Sequence, residues 1–316
     1  MKQLGVLMDD FSKIHPQKDS TLAMMREANN RGWDIYTFDA NDISHLNHRT
    51  QVNAKKISMK PSEDPWCELL SNEMISLEDL DVILMRKDPP FNMDYIYATY
   101  MLDHAKKSGV LVVNDPQSIR DCNEKLFALN FANCIPKTLV TSNIDEINQF
   151  IADQKTCVIK PLDGMGGNDI YKVSHGETEI RKIVDRLTHH FSTPIMLQEF
   201  LEDIKHGDKR ILLIDGEPID YALARIPAEN DFRGNLAKGA KGVAQELSER
   251  DRWLCQQISP TLKEKGLMFV GLDVIGDYVT EINVTSPTCI VEIDKVYGTN
   301  IAGILFDAIE KKLSGE

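Results

Sequence analysis

The chain has 316 residues, 42% of them hydrophobic and 27% charged. At about 150 residues per domain it has room for two domains or one elaborated one, and the balance excludes a disordered tail, a fibrous repeat and a collagen. Its 36 Lys+Arg against 49 Asp+Glu leave a formal charge of −13, a poor footing for coating nucleic acid or an anionic membrane, although a local basic pocket for a small phosphate ligand is still allowed.

The first third alternates strand and helix. Apolar runs at 4–9, 34–39, 81–86 and 110–115 read as strands. The spacing of Leu22, Met25 and Ala28 predicts a helix over 20–31, capped by Asp19 or Ser20 and stopped by Gly32. A second helix is expected from Tyr95 to Ser108. Such β-α-β alternation implies a parallel sheet with helices on its faces. The stretch 41–76 is polar and poorly periodic and reads as an insertion or an irregular connection. A boundary is expected near Pro116 to Asn123.

Beyond it the pattern changes. Strands are expected at 156–161, 195–200, 209–216 and 217–226, with Asp215-Gly216 as a hairpin turn, giving an antiparallel sheet backed by helices such as 177–190. A helix over 248–265 opens with a capping box, Ser248 and Asp251. Pro260 inside it predicts a kink or an early end. The last helix is expected over 299–313. The fold class is thus α/β, with α+β character in the C-terminal part. The segment 226–242 lacks apolar periodicity, holds three glycines and carries Arg233, Lys238 and Lys241. It reads as a functional lid or as a solvated surface loop.

Cys67, Cys122, Cys134, Cys157, Cys255 and Cys289 show no C-x-x-C spacing and read as reduced, mostly buried thiols of a cytoplasmic protein. No run reaches the ~18 apolar residues of a membrane span, and the N-terminus is too short in apolar residues for a signal segment.

Three constellations carry chemistry. In IKPLDGMGGNDI (159–170), Lys160 ends a strand and Gly164, Gly166 and Gly167 follow. Glycines let backbone N–H groups close on phosphate oxygens, and Lys160 adds a point charge. The pattern is not a Walker loop. It reads as a hairpin over a nucleotide or as a plain glycine turn. In GLDVIGDYVTEINVTSP (271–287), Glu281 and Asn283 share one strand face. Asp273 joins them only if the turn is longer than two residues or the ladder carries a bulge. Two carboxylates and an amide oxygen suit Mg²⁺ that also holds phosphates; the alternative is a solvated hairpin face. Arg210 and Arg225 lie near the far end of one ribbon and Arg86 follows VILM. Arginines so placed can clamp phosphate or carboxylate, though each alone reads as a surface or salt-bridge residue.

Taken in order, Lys125, the Lys160 glycine loop, Gln198-Glu199, Arg210/Arg225 and Asp273/Glu281/Asn283 resemble the ATP-grasp superfamily. Longer segments sharpen this: VILMRKDPPFNMDYIYATYMLD (82–103), VVNDPQSIRDCNEKLF (112–127), KPLDGMGG (160–167), GDKRILLIDGEPIDYALARIP (207–227), RGNLAKGAKG (233–242) and GLDVIGDYVTEINVTSPTCI (271–290) look like bacterial glutathione synthetases. The resemblance implies an N-terminal substrate-binding domain over 1–122 and an ATP-grasp domain over 123–316, divided into an ATP-binding lid (123–200) and a catalytic part (201–316). It implies ligation of γ-glutamylcysteine with glycine at the expense of ATP, through an acyl phosphate.

The implied roles run as follows. Lys125, Lys160, Gly164, Gly166 and Gly167 hold the phosphates; Gln198, Glu199, Phe200, Leu201 and Asp208 bind the rest of ATP. Asp273, Glu281 and Asn283 bind Mg²⁺, with Mn²⁺ an alternative. Arg210, Arg225 and Arg233 serve catalysis; Arg86, Asn283 and Ser286 bind the dipeptide. Partners are small molecules, without nucleic acid or membrane, and a homo-oligomer, a tetramer, is implied. Competing readings are another ATP-grasp carboxylate–amine ligase and a nucleotide-binding module without turnover.

Overall fold

The structure, a computed structural model, describes residues 1–11, 14, 16–60, 65–87, 90–164, 166–229, 231–234 and 239–315. Its first body contains β1 (Gln3–Leu7), α1 (Ser20–Asn30), β2 (Asp34–Phe38), β3 (Ile43–Leu46), β4 (Arg49–Met59), β5 (Cys67–Ser76), β6 (Val82–Met85), α2 (Met93–Lys107), β7 (Leu111–Val113) and α3 (Pro116–Asp121). β1 pairs in parallel with β2 and β6, and β6 with β7. All four residues of β6 are buried, as expected of a strand covered on both faces. Asp19 caps α1, its carboxylate accepting from the Leu22 N–H at 2.7 Å, and Asn92 caps α2.

The stretch 41–76 is not an irregular connection. It forms β3 and the long antiparallel β4–β5 hairpin, which pairs with β2 and extends the sheet to seven strands. Thr50, Val52 and Ala54 alternate inward, but these side chains are small and are separated by Gln51, Asn53 and Lys55. The period of two was therefore faint in hydrophobicity.

The second body holds β8 (Thr138–Thr141), α4 (Ile144–Gln154), β9 (Thr156–Pro161), β10 (Tyr171–Ser174), α5 (Ile180–Leu187) and β11 (Ile195–Glu199), in an antiparallel sheet of order β10-β9-β11-β8. It has its own core around Ile147, Ile159, Val184 and Ile195. The third holds β12 (Asp208–Ile214), β13 (Glu217–Ile226), β14 (Lys241–Glu246), α6 (Glu249–Glu264), β15 (Phe269–Ile275), β16 (Tyr278–Asn283), α7 (Ile290–Tyr297) and α8 (Ile301–Ser314), with sheet order β14-β13-β12-β15-β16. The turn between β12 and β13 is the two-residue Asp215-Gly216, both at positive φ (47° and 76°), which suits the twist of a hairpin.

α6 opens with the Ser248/Asp251 capping box but does not end at Pro260; it runs on to Glu264. The proline ring removes the N–H that would serve the Gln256 carbonyl. Both residues are exposed, so water can take that carbonyl.

The first and third bodies share a core. Leu4, Val6, Met25 and Trp33 pack in one cluster with Leu212, Phe269, Ile290, Ile301 and Phe306. Buried Asn114 locks the seam. Its amide donates to the Phe269 and Val284 carbonyls at 2.8 and 2.7 Å, and its oxygen accepts from the Phe269 N–H at 2.8 Å.

Candidate active site

The register of the five-stranded sheet assembles the charged residues. Arg210 on β12 lies opposite Asp273 on β15, and Asp208 lies opposite Arg225 on β13. β15 and β16 turn through Gly276-Asp277, with Ile275 opposite Tyr278. A bulge then shifts the ladder so that Asp273 faces Glu281 and Gly271 faces Asn283. The bulge is what brings Asp273 to the face of Glu281.

Asp273 is buried and held by two guanidiniums. Arg210 Nε donates to Oδ1 at 2.6 Å, and Arg225 lies 3.0 Å from Oδ2. Burial works against its charge, but the arginines win and hold the carboxyl well below the usual range. Glu281 opposite is held by lysines, Lys160 at 3.3 Å and Lys125 at 3.6 Å. They lower its carboxyl despite burial. Lys160 is itself buried, and burial pulls its ammonium below the ordinary lysine value. Asp208 gives one oxygen to Arg225 at 2.6 Å, while its Oδ1 is buried with no partner among the described residues. Burial, with Asp273 nearby, pushes its carboxyl up to about 6.

Above these charges lies a cavity of about 100 Å³ between the four-stranded and five-stranded sheets. Val158, Ile170, Leu201, Ile204 and Ile275 supply apolar wall, while Lys160, Gln198, Asp208 and Glu281 supply polar groups. Gly164, Gly166 and Gly167 line one side, the last two at positive φ. Met165 falls outside the described residues. Lys125 Nζ donates to the Gly164 carbonyl at 2.6 Å, so the glycine loop is tethered to that ammonium.

At the end of β11, the Glu199 and Phe200 N–H groups are used inside the sheet, donating to the Lys137 and Thr156 carbonyls. Gln198 is buried and donates to Thr138 Oγ1 at 3.2 Å.

The lid segment reaches the same cavity. Arg233 lines it, donates to the Gly167 carbonyl at 3.2 Å and is braced by Asp231 at 2.7 Å. Phe232 packs edge-on against Phe200. A Cβ on Gly234 would stand 2.5 Å from Asp208 Cβ and 2.9 Å from the Arg225 carbonyl, so only glycine fits there. Lys238 lies outside the described residues, and Lys241 is exposed on β14.

Arg86 and Ser286 sit at the seam instead of in the large cavity. Arg86 Nε donates to Thr21 Oγ1 and its NH2 to the Pro287 carbonyl at 3.0 Å; Ser286 donates to the Lys87 carbonyl at 3.1 Å. They hold the 284–290 turn against the N-terminal body. Asp88 and Pro89, next to Arg86, fall outside the described residues.

Sequence reasoning did not place two groups at this site, Glu124 and Cys289, the latter expected only as a buried thiol. Glu124, beside Lys125, accepts from Thr285 Oγ1 at 2.7 Å, and burial pushes its carboxyl up to about 6. Cys289 is buried near Arg210 and Arg225, with its backbone at φ 88°. Neither position carries a pattern that marks it in sequence. All six cysteines are free thiols, and among the described residues no helix is long and apolar enough to cross a membrane.

For a metal, the donor set is Asp273, Glu281 and Asn283. Among the described residues no group of three or more His, Cys, Asp or Glu side chains forms a metal site. Two carboxylates plus one amide oxygen are hard donors with too few ligands to enclose an ion. Such a set fits a divalent cation whose shell is completed by phosphate oxygens and water. Asn283 donates its amide N–H to the Gly271 carbonyl at 3.2 Å, which orients that amide.

Comparison with known proteins agrees with this geometry. Residues 1–120 match the model of the prokaryotic glutathione synthetase N-terminal domain, and residues 124–298 that of the prokaryotic glutathione synthetase ATP-grasp domain. The chain is 53% identical over 313 residues to the glutathione synthetase of Pseudomonas syringae pv. tomato, covering 98% of both chains. It is 49% identical over 316 residues to that of Vibrio parahaemolyticus, covering 100% of both.

Among solved structures, the D-cycloserine synthetase DcsG aligns with a TM-score of 0.69 at 13% identity, covering 98% of this chain and 99% of that one. D-alanyl-alanine synthetase A from Vibrio cholerae aligns with a TM-score of 0.63 at 12% identity, covering 100% and 99%. At such identities these two speak for the fold alone. The matched domains, the half-identical full-length relatives and the charged cavity between two antiparallel sheets agree: the chain belongs to the prokaryotic glutathione synthetase family, ATP-grasp ligases of ATP-dependent glutathione synthesis.

Proposed function

We propose that this cavity joins the cysteinyl carboxylate of γ-glutamylcysteine to the amine of glycine in two steps. The observation that carries the reading is the convergence of Arg210, Arg225, Lys125 and Lys160 on two facing acids beneath the cavity. In the first step a carboxylate oxygen attacks the γ-phosphorus of ATP and the bond to the ADP oxygen breaks. In the second the glycine nitrogen attacks the acyl carbon, the carbon–oxygen bond to phosphate breaks, and the nitrogen gives up its proton to the departing phosphate.

Little covalent help is needed. The protein supplies position and charge neutralisation. Lys125 and Lys160 hold the phosphates from two sides, with the glycine loop over them. Asp208 receives a hydroxyl of the nucleotide on its unpartnered oxygen. The apolar walls take adenine, and its polar edge is left to the Glu199 and Phe200 carbonyls and the Leu201 N–H, because the Glu199 and Phe200 N–H groups and the Leu201 carbonyl are already used. Arg210 and Arg225 face the developing charge on the transferring phosphoryl group and then on the tetrahedral carbon. Asp273, Glu281 and Asn283 would hold a divalent ion, Mg²⁺ or Mn²⁺, which when bound neutralises phosphate oxygens.

Arg233 and Phe232 close the cavity, so that the acyl phosphate meets glycine before water. Arg86 and Ser286 shape the acceptor side by fixing the 284–290 turn. In this reading the chain is organised as a substrate-binding part (1–122), an ATP-binding lid (123–200) and a catalytic part (201–316). It works in the cytoplasm, where its thiols stay reduced, as a homo-oligomer; exposed Leu69, Leu70, Met74, Tyr97 and Tyr100 offer apolar surface for assembly.

The test is phosphate release from ATP with a divalent ion and γ-glutamylcysteine, with and without glycine, alongside glutathione by mass. Release that needs both substrates and matches glutathione one-for-one is expected. Release matched by no peptide, or peptide formed only from another carboxylate–amine pair, overturns the assignment. Cleaving the 226–242 lid is expected to leave ATP binding intact while phosphate release outruns glutathione.

A further inference from the structure

A second cavity, of about 210 Å³, opens at the carboxyl ends of β1 and β2, away from the ATP cavity. Its wall is built from Asp9 and Asp10 after β1, Thr37 within β2, and Asp39 and Asp42 after it, with Phe11 as apolar wall. β1 is the switch strand of this sheet, with β2 on one side and β6 on the other. In open α/β sheets the crevice beyond such strand ends is where ligands settle.

The charges there are mixed. Lys87, just past β6, bridges Asp9 at 2.5 Å and Asp39 at 2.6 Å, and Lys55 pairs with Asp10 at 3.0 Å. Four carboxylates face two ammoniums, which leaves an excess of negative charge. The independent sign of a ligand is Thr37. It is 2% exposed, lines the cavity, and its hydroxyl has no partner among the described residues. A buried hydroxyl without a partner costs stability, so a site that keeps one is built to meet something. Carboxylates and a hydroxyl suit an ammonium; lysines beside them suit a carboxylate on the neighbouring atom.

The cavity also connects to the chemistry. Lys87 offers its backbone carbonyl to Ser286, and Pro287 stands against Arg210 across Gly271.

We propose that this cavity binds the ammonium–carboxylate head of an α-amino acid, supplied by the glutamyl end of the acceptor dipeptide or by a free amino acid. Only the first source rests on the ligase reading above. Thr37 accepts from or donates to that head, and Asp42 adds a carboxylate beside it.

The experiment is calorimetric titration of the full chain and its Thr37→Val and Asp42→Asn variants with three probes: γ-glutamylcysteine, glutarylcysteine (which lacks the amino group) and glycine. Thr37→Val is expected to weaken γ-glutamylcysteine about tenfold, the size of one hydrogen bond to a charged group, while glutarylcysteine binds as before. Loss confined to glycine assigns the cavity to a free amino acid instead. Should Thr37→Val fail to fold by circular dichroism, Asp42→Asn, which keeps size and an acceptor oxygen, carries the same comparison. Unchanged binding of every probe, or equal loss of the dipeptide and glutarylcysteine, overturns the proposal. A wild-type chain that forms no glutathione overturns the ligase reading alone, because the titrations need no turnover.

Discussion

Asp273 and Glu281 face each other across β15 and β16, and each is neutralised by two cations in a different way. Asp273 takes arginines from strands of its own sheet, β12 and β13. Glu281 takes lysines from outside it: Lys160 from the four-stranded sheet and Lys125 from the connection before it. The arginine fork is planar, permanently charged and fixed in direction; the lysine ammonium is a point charge on a flexible stem. The Asp273 half is therefore set before any substrate arrives. The Glu281 half joins two bodies through contacts of 3.3 and 3.6 Å, longer than a close charge-assisted bond, and its lysines also hold backbone carbonyls, Lys125 that of Gly164 and Lys160 that of Thr280. On the proposed function, the first half serves the transition state and the second captures phosphate.

Substitutions can break or sharpen that contrast. The largest effect is expected for Arg210→Lys, which keeps the charge and loses the fork: kcat should fall on the order of 10²–10³-fold with little change in the KM for ATP. Lys160→Met should do the reverse in kind, raising the KM for ATP about 10–100-fold, the scale of one charge-assisted contact. Steady-state phosphate release separates the two, and equal effects on kcat and KM from both variants would erase the distinction.

Gly271→Ala tests the rigidity of the arginine half. A Cβ there would lie 2.9 Å from both Arg210 Cδ and Pro287 Cβ. A loss of about 1–3 kcal/mol in urea unfolding is expected, with kcat reduced alongside. Unchanged stability would mean that the arginine shelf yields.

The smallest effect concerns Asp208. Its carboxyl sits at about 6 in the folded chain against 3.8 for the free group. The folded state thus prefers the proton. That contribution is whole below 3.8 and is lost as pH rises through 6. Asp208→Asn should therefore gain about 2–4 °C in melting temperature relative to wild type between pH 5 and pH 7.5. A difference that does not change with pH would show that Asp208 is already ionised at little cost.

Much of this was legible in the sequence. The Asp215-Gly216 turn, the capped ends of α1 and α6 and the strands around Lys160 and Arg225 follow from local chemistry that works over a few residues. The pairing of Asp273 with Glu281 was legible only as a condition, because a bulge at Thr280 depends on what packs against both strands; Thr280 Oγ1 donates to the Asp273 carbonyl at 3.2 Å. The β4–β5 hairpin escaped notice because small side chains line its buried face. The seam positions of Arg86 and Ser286 were out of reach for another reason: their partners Pro287 and Lys87 lie about 200 residues away. The helix through Pro260 shows the limit of a local rule, since an exposed helix face tolerates the lost bond.

The shared core has a consequence for how the chain is made. Trp33, at the end of the α1 turn, packs edge-on against Phe306 of α8, and Arg31 pairs with Asp307 and Glu310. During synthesis α1 and the first parallel strands leave the ribosome long before α8 exists, with one apolar side uncovered. The four-stranded sheet, with a core of its own, can settle at once as a unit. The oldest part of the nascent chain must therefore wait for the youngest, and the N-terminal body is the segment that needs protection from aggregation until release.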